Sequence, residues 1–242
     1  MTITSAIRNF FINLTGYFIY KKSDLPIGVD FKSDLANKFG IIPRTVFDVG
    51  ANYGQTALHY NELFHEAYIY SFEPVNKSFL KLQKSVEGNV RIKCFNIAFG
   101  QESKKMEISL FEEEQSQLNS LKTINSSSDI NSIKEIITVV TLDDFAKTEN
   151  VQRIDLLKID TEGFELEVLK GASTLLKDRK VKSILCEVAL SKKNSRNTQL
   201  DDIICFLEKY DYFFVGFYDT NVNYYNHGLA YSNALFILKN NQ

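Results

Sequence analysis

The chain has 242 residues, of which 44% are apolar and 13% aromatic, so it can bury a sizeable core and lacks the composition of a disordered protein. Lys and Arg number 28 and Asp and Glu 30, which gives a formal net charge of −2. This near-balance is not typical of proteins that coat nucleic acid, and we expect no nucleic-acid partner. Because Cys94, Cys186 and Cys205 form no CxxC pair, we predict core thiols and a reducing, cytoplasmic location.

Residues 1–44 predict a helical extension at the N-terminus. Apolar residues recur there at spacings of three and four, which is the pattern of one helix face. They are Ile3, Ile7, Phe10, Phe11, Leu14 and Phe18. We expect this face to pack on the domain; the alternative is a helix that contacts a membrane surface or a partner. No apolar run is long enough for a transmembrane segment, and no secretory cleavage site follows.

Strand and helix patterns alternate from residue 45 onward. Predicted strands cover Thr45–Val49, Tyr68–Phe72 and Val90–Ala98, with helices at Thr56–Phe64 and Ser78–Ser85 between them. This alternation predicts parallel βαβ units.

The middle of the chain departs from this order. Strand patterns at Met106–Phe111 and Ile136–Val140 flank Gln115–Ser132, which is rich in Ser and Asn and predicts a surface loop. Thr141 then begins a short helix with acidic residues in its first turn.

The alternation returns in the last third of the chain. The predicted elements are strand Leu156–Ile159, helix Glu165–Leu176, strand Ser183–Val188, helix Leu200–Tyr210 and strands Phe213–Phe217 and Ala234–Leu238. The last two strands are too close for a helical crossover, so we predict that they are antiparallel. We therefore predict one α/β domain over residues 45–242.

The segment Asp48-Val49-Gly50-Ala51-Asn52-Tyr53-Gly54 lies between the first strand and the first helix, where α/β folds bind nucleotides. Gly50 allows a tight turn, and Gly54 allows the helix to begin close to a ligand. There is neither GxGxxG nor GK[ST], so the turn suits a nucleoside without phosphate. Glu73, after the second strand, can accept hydrogen bonds from both ribose hydroxyls.

Two more carboxylates, Asp160 and Glu162, follow the strand that ends in the sequence KID. Ligands of open α/β sheets bind at the carboxyl ends of the strands, so we expect these acids to lie at the site. The alternative is that they only cap the helix that follows.

The segments FDVGANYGQT, SFEP, NIAFG and LLKIDTEGFELEVLKGA resemble the FkbM family of S-adenosylmethionine-dependent methyltransferases. The resemblance covers Thr45–Leu238. It implies a class I, Rossmann-like methyltransferase fold, with a seven-stranded, mostly parallel sheet whose last strand is antiparallel. It also implies S-adenosylmethionine as cofactor and O-methylation, often of sugar hydroxyls in glycans or natural products.

The resemblance also implies roles for individual positions. It assigns the methionine part of the cofactor to the turn, the ribose to Glu73, the adenine side to Asn96, and the reaction edge to Asp160 and Glu162. The implied cofactor-binding set is Asp48, Gly50, Asn52, Gly54, Glu73, Asn96 and Asp160. Asn52 stands where many class I enzymes have glycine.

A sugar hydroxyl is a poor nucleophile, and a general base speeds such reactions ~10²–10⁴-fold. The candidate bases are Asp160, Glu162, Glu187 and His227. Asp160 and Glu187 end two strands that we expect to be neighbours, and their oxygens suit Mg²⁺ or Ca²⁺ if a metal is used.

We therefore predict an O-methyltransferase that acts on a sugar, a glycan or another polyhydroxyl acceptor. We expect the acceptor pocket to involve the N-terminal helix, Gln115–Ser132 and Tyr218–Ser232, since tyrosine rings stack on sugars. Two alternatives stay open: an NAD-dependent oxidoreductase, and a non-catalytic cofactor-binding or scaffold protein. The oligomeric state is also open, with a homo-oligomer as one option.

Overall fold

The computed structural model describes residues 3–17, 20–21, 24–110, 133–223 and 228–239. Within these ranges, a large sheet has seven strands and a small sheet has three. The strands are β1 Thr45–Val49, β2 Tyr68–Phe72, β3 Ile92–Phe95, β4 Ala98–Phe99, β5 Lys104–Leu110, β6 Ile133–Val140, β7 Ile154–Ile159, β8 Val181–Ala189, β9 Tyr212–Asn223 and β10 Gly228–Leu238.

The described helices are mostly short. They are α1 Ile3–Thr15, α2 Phe31–Ser33, α3 Gln55–Leu63, α4 Asn76–Ser85, α5 Leu142–Thr148, α6 Glu165–Lys170, α7 Ser173–Lys177 and α8 Leu200–Leu207. A π-helical turn, Asp34–Lys38, continues α2, and a 3₁₀ turn, Glu208–Tyr210, continues α8. Among the described residues, no helix is both long and apolar enough to cross a membrane.

The large sheet has the strand order β3-β2-β1-β7-β8-β10-β9. All its neighbours pair in parallel except β10, which is antiparallel to both β8 and β9. This confirms the predicted seven-stranded, mostly parallel sheet with an antiparallel end. The carboxyl ends of β1, β2, β7 and β8 therefore meet at one edge of the sheet.

The predicted third strand, Val90–Ala98, is two strands. β3 ends at Phe95, and Ala98 and Phe99 pair with β6 in the small sheet. Asn96 lies at the break, where its side-chain amide donates to the carbonyl oxygens of Glu73 and Pro74 at 2.9 Å each. The chain thus leaves the large sheet at Asn96.

Three further predictions were wrong in detail. The helix predicted over Glu165–Leu176 is broken between α6 and α7, where a Cβ atom on Gly171 would lie 2.1 Å from the carbonyl oxygen of Gly100. The last two strands are longer than predicted, since β9 continues to Asn223 and β10 begins at Gly228. Cys205 is exposed rather than in the core.

Apolar side chains pack on both faces of the large sheet. On one face, the ring centroid of Phe145 lies 4.9 Å from that of Phe72, in the edge-to-face geometry that stabilises aromatic pairs. On the other face, Phe31 packs edge-on against Tyr218, with ring centroids 5.1 Å apart. Asp34 accepts a hydrogen bond from the Tyr218 hydroxyl at 2.7 Å, which ties residues 31–38 to β9. The domain boundary predicted at residue 45 stays a prediction.

The apolar face of α1 is exposed. Ile7, Phe10 and Leu14 have 53%, 63% and 69% of their surface accessible, so the expectation that this face packs on the domain is wrong for these residues. The pattern predicted an amphipathic helix correctly but not what covers it, because periodicity carries no information about a partner. Contact with a membrane surface or a partner stays a prediction.

Candidate active site

The turn after β1 is held between the ends of β2 and β7. The amides of Gly50 and Ala51 both donate to the carbonyl oxygen of Phe72 at 3.0 Å, and the amide of Asp160 donates to the carbonyl oxygen of Val49 at 2.9 Å. Gly50 has a φ of +87°, and a Cβ atom there would lie 1.8 Å from the carbonyl oxygen of Asp160. Only glycine fits this close backbone approach.

Gly54 has a different reason to be glycine than the one predicted. A Cβ atom on Gly54 would lie 2.9 Å from Cδ1 of Leu82, so the small residue allows α3 to pack against α4. Gly54 does not line the cavity described next. The expectation that it brings the helix close to a ligand has no support from this packing, and its role in cofactor binding stays a prediction.

A cavity of about 340 Å³ lies at the carboxyl ends of β1, β2 and β7. Its polar wall comes from Gly50, Asn52, Glu73, Asp160 and Glu162. Its apolar wall comes from Val49, Phe72, Val75, Ile97, Phe99 and Ile108. This volume and mixed lining are typical of a small-molecule site. Sequence reasoning missed the contribution of the small sheet, which supplies Ile108 from β5.

Glu73 presents a buried carboxylate to this cavity. One oxygen accepts from the amide of Asn52 at 3.0 Å and the other from the amide of Val75 at 2.9 Å. Burial raises the pKa of Glu73 to about 7, although these two hydrogen bonds act in the opposite direction. Asn96 does not line the cavity; its amide holds the chain at Glu73 and Pro74. Its contact with the adenine side stays a prediction.

Asp48 lies beneath the turn, 1% exposed and outside the cavity lining. Burial raises its pKa to about 7, while the ammonium group of Lys158 lowers it. Oδ2 of Asp48 has no hydrogen-bond partner among the described residues, and neither has the hydroxyl of Ser71, which pairs in register with Asp48 on β2. A buried acceptor without a donor is costly, so this carboxylate fits a ligand that carries hydrogen-bond donors.

Three of the predicted carboxylates come together at the other end of the site. Oxygens of Asp160, Glu162 and Glu187 all lie within 4.8 Å of one another. β7 and β8 are neighbouring strands, as predicted, and this places Asp160 beside Glu187. Burial, together with the charge of Asp160, raises the pKa of Glu187 to about 8. Burial also raises the pKa of Glu162, although its pairing with Arg196 acts against this.

Each of these carboxylates has a partner that sequence reasoning did not identify. Lys158 donates to Asp160 at 3.1 Å, Arg196 pairs with Glu162, and the side-chain amide of Asn197 donates to Glu187. Lys158 belongs to the segment LLKIDTEGFELEVLKGA, but sequence reasoning assigned no role to it. A lysine in an otherwise apolar strand is unusual and indicates a buried charge with a partner. Nothing local marks Arg196, which lies 34 residues from Glu162 in the chain.

Lys158 is 4% exposed and also donates to the side-chain oxygen of Asn233 at 2.9 Å. Burial lowers its pKa, but Asp160 and Glu187 outweigh this effect, so the pKa of Lys158 is above its ordinary value. The lysine therefore stays charged next to the carboxylates. The fourth predicted base, His227, and the predicted loop Gln115–Ser132 lie outside the described residues.

A family model described as "Methyltransferase FkbM domain" matches residues 48–214, which is more than half of the chain. The chain belongs to the FkbM methyltransferase family. Members of this family are S-adenosylmethionine-dependent methyltransferases, so membership argues against the NAD-dependent alternative. The matched range contains the turn after β1, Glu73 and the three carboxylates.

Several known proteins are similar to this chain at low sequence identity. Methyltransferase 1 of Beauveria bassiana (strain ARSEF 2860) is 25% identical over 142 residues, 52% of this chain and 57% of the relative. A crystal structure of methyltransferase FkbM from Methylobacillus flagellatus KT has a TM-score of 0.53 at 16% identity, over 85% of this chain and 47% of that one. Fibrillarin of Aeropyrum pernix has a TM-score of 0.47 at 13% identity, over 80% of this chain and 66% of that one.

The FkbM structure confirms the class I methyltransferase fold. The chain spans about half the length of that protein and of the curated relative.

Proposed function

We propose that the protein transfers the methyl group of S-adenosylmethionine to a hydroxyl group of a sugar, a glycan or another polyhydroxyl acceptor. The observation that carries this proposal is the convergence of Asp160, Glu162 and Glu187 at one end of a cavity whose other end holds Glu73. A nucleoside site and candidate bases thus share one edge of the sheet, which is where open α/β sheets bind ligands.

The residues present suit this cofactor. Glu73 would accept hydrogen bonds from the ribose, the turn at Gly50 and Asn52 would hold the methionine part, and Asp48 offers an acceptor without a donor. When bound, S-adenosylmethionine supplies a methyl group on a positively charged sulfur. Lys158 and Arg196 balance the charges of Asp160 and Glu162, and Glu187, with a pKa of about 8, adds a negative charge when it is ionised. That charge favours a cationic ligand.

The carboxylates are candidates for the base that takes the proton of the acceptor hydroxyl. A general base works best when its pKa lies near the working pH, and Glu187, with a pKa raised to about 8, meets this condition. Asp160 and Glu162 line the cavity directly, which Glu187 does not. Asp160 is therefore our first candidate for contact with the acceptor, with Glu162, Glu187 and His227 as alternatives.

A carbohydrate acceptor suits the polar groups around the cluster. The side-chain amide of Asn197 donates a hydrogen bond to Glu187, and that of Asn233 accepts one from Lys158. Such amides also form hydrogen bonds readily with hydroxyl groups. Tyr231 is partly exposed and pairs in register with Ala189 at the end of β8, two residues after Glu187, so it lies at the same edge. A tyrosine ring there would stack on a sugar.

The candidate metal site has three carboxylates rather than the two predicted, because Glu162 lies beside Asp160 and Glu187. Each of the three already has a partner, however, and a divalent ion would have to compete with Lys158 and Arg196. We therefore propose a site that works without a metal, with Mg²⁺ or Ca²⁺ as the alternative. The cytoplasmic location and the lack of a nucleic-acid partner stay predictions.

Thermal unfolding with S-adenosylhomocysteine, and separately with NAD, tests the cofactor. A ligand at ~100 times its dissociation constant adds ~2.7 kcal/mol to the stability of the folded state, so the unfolding temperature should rise with S-adenosylhomocysteine alone. Labelled methyl donor with a panel of sugars, glycans and phenols then tests the acceptor. Binding without transfer to any hydroxyl would favour the non-catalytic alternative, and a response to NAD alone would overturn the proposal.

A further inference from the structure

Glu165 is the first residue of α6, and no part of it is exposed. Its carboxylate accepts hydrogen bonds from two separate loops. Oε1 accepts from the amide of Thr161 at 3.1 Å, its hydroxyl at 3.2 Å and the amide of Gly163 at 2.8 Å. Oε2 accepts from the amide of Thr198 at 3.2 Å and its hydroxyl at 2.5 Å. Five donors thus stabilise the buried charge.

The first of these loops, residues 160–163, carries two of the three clustered carboxylates. Glu162 has a φ of +55°, a left-handed conformation that costs a residue other than glycine of order 1–3 kcal/mol. Oε1 of Glu165 accepts from the amides on both sides of Glu162, those of Thr161 and Gly163. The carboxylate of Glu165 therefore stabilises the backbone that presents Glu162 to the cavity.

The second loop, residues 191–199, carries the partners of the cluster. Arg196 pairs with Glu162, and Asn197 donates to Glu187. The next residue, Thr198, donates to Oε2 of Glu165 through both its amide and its hydroxyl. The same side chain therefore fixes the loop of the acids and the loop of their partners.

We propose that Glu165 is a positioning residue that sets the relative placement of these two loops, and through it the pairing of Glu162 with Arg196 and of Glu187 with Asn197. Glu165 does not line the cavity, so it acts through other residues rather than on the acceptor. The role in turnover rests on the proposed methyl transfer, whereas the effect on the two carboxylates does not.

Two variants weaken the hydrogen bonds between Glu165 and the two loops to different degrees. Glu165→Gln keeps the size of the side chain but replaces one acceptor oxygen by a donor. Thr198→Val removes a single hydroxyl donor from the second loop and keeps the shape. Ser183→Ala is the matched control, because it removes a buried hydroxyl hydrogen bond, to the carbonyl oxygen of Asp155 at 2.6 Å, at the opposite end of the sheet.

We expect both test variants to bind S-adenosylhomocysteine within about threefold of the original protein, while kcat falls by ~10-fold or more in Glu165→Gln. The rising limb of the pH–rate profile should move to higher pH, since Glu162 loses part of the pairing with Arg196 that lowers its pKa. Thr198→Val should show a smaller shift in the same direction. Ser183→Ala should lose stability without any shift.

A second readout does not depend on turnover. Carboxyl titrations of ¹³C-labelled glutamates by NMR should show the pKa values of Glu162 and Glu187 moving upward in Thr198→Val and not in Ser183→Ala. Unchanged titrations and an unchanged pH–rate profile in both Glu165→Gln and Thr198→Val would overturn the positioning role. If the original protein transfers no methyl group while the titrations shift, the proposed function fails and the positioning of the carboxylates stands.

Discussion

Gly50 and Asp160 are in direct backbone contact, although they follow different strands: a methyl group on Gly50 would be 1.8 Å from the carbonyl oxygen of Asp160. The turn that we assign to the cofactor is therefore packed against the backbone of the carboxylate that we assign to the reaction edge. A ligand held by the turn would lie beside Asp160, and such positioning is a main source of catalysis in transfer reactions.

Substituting Gly50 with alanine should lower the free energy of unfolding by ~3 kcal/mol or more, because a backbone oxygen blocks the Cβ atom and the left-handed φ adds strain. Gly88→Ala is the matched control, since Gly88 has a similar φ of +80° but no atom within 4 Å of the added Cβ. It should lose only ~1 kcal/mol. Denaturant unfolding measures both, and equal losses would show that backbone strain rather than the contact with Asp160 decides the cost.

Glu73→Ala should weaken the binding of S-adenosylhomocysteine by ~1–3 kcal/mol, because two ribose hydroxyls lose their acceptor. Burial raises the pKa of Glu73 to about 7, so the ionised fraction grows between pH 6 and pH 8. Affinity measured by calorimetry should therefore rise over this range, and Glu73→Gln should flatten the rise. Unchanged affinity in Glu73→Ala would remove this residue from the site.

The stability of the cofactor-free protein should fall as the pH rises, in part because of Asp48. Burial raises the pKa of Asp48 from 3.8 to about 7, so the folded state favours the protonated form of this side chain. The resulting contribution to the free energy of unfolding is complete below pH 3.8 and is lost as the pH rises through 7. Asp48→Asn should therefore stabilise the protein by ~2–4 kcal/mol at pH 8 and by almost nothing at pH 4. Denaturant midpoints at both pH values test this, and an equal gain at both would show that the charge is not the cause.

Asp160→Asn should lower kcat by ~10²–10⁴-fold and weaken the binding of S-adenosylhomocysteine far less. Asparagine keeps the shape of the side chain and removes the charge that could accept a proton. Asp143→Asn is a suitable control, because Asp143 accepts hydrogen bonds from the amides of Thr174 and Leu175 at the start of α7 and does not line the cavity. Full activity in Asp160→Asn would refute its catalytic role.

Chelation should leave the methyl transfer unchanged within about twofold, since Lys158 and Arg196 already pair with two of the three carboxylates. Activity with EDTA, followed by addition of Mg²⁺, Ca²⁺ or Mn²⁺, measures this directly. A large loss that one of these ions restores would instead support a metal at Asp160, Glu162 and Glu187.

The sequence predicted the parts of the site that follow strand ends. The turn after β1, Glu73 after β2 and Asp160 after β7 could all be placed together, because the carboxyl ends of parallel strands meet at one edge. The seven-stranded sheet required the resemblance to a family in addition, since alternation of strands and helices alone does not order the strands, whereas the antiparallel pairing of the last two strands followed from their close spacing in the chain.

The sequence did not predict the partners of the carboxylates or the cavity wall from the small sheet. Arg196 reaches Glu162 from a loop without any recognisable motif, and Ile108 reaches the cavity only because β5 pairs with β6. Both depend on tertiary contacts rather than on local periodicity. The packing of Gly54 against the side chain of Leu82 was not predicted either.

The start of β1 has consequences for how the protein folds. Asp155 accepts hydrogen bonds from the amides of Arg44 and Thr45, which lie 111 and 110 residues earlier in the chain. Contacts this distant in sequence form slowly, because the entropy of closing the loop must be overcome before they stabilise anything. During synthesis, the turn after β1 therefore leaves the ribosome long before β7 can pair beside it. The cofactor site is completed late in folding, and a fragment that ends before β7 would contain the motif without the site.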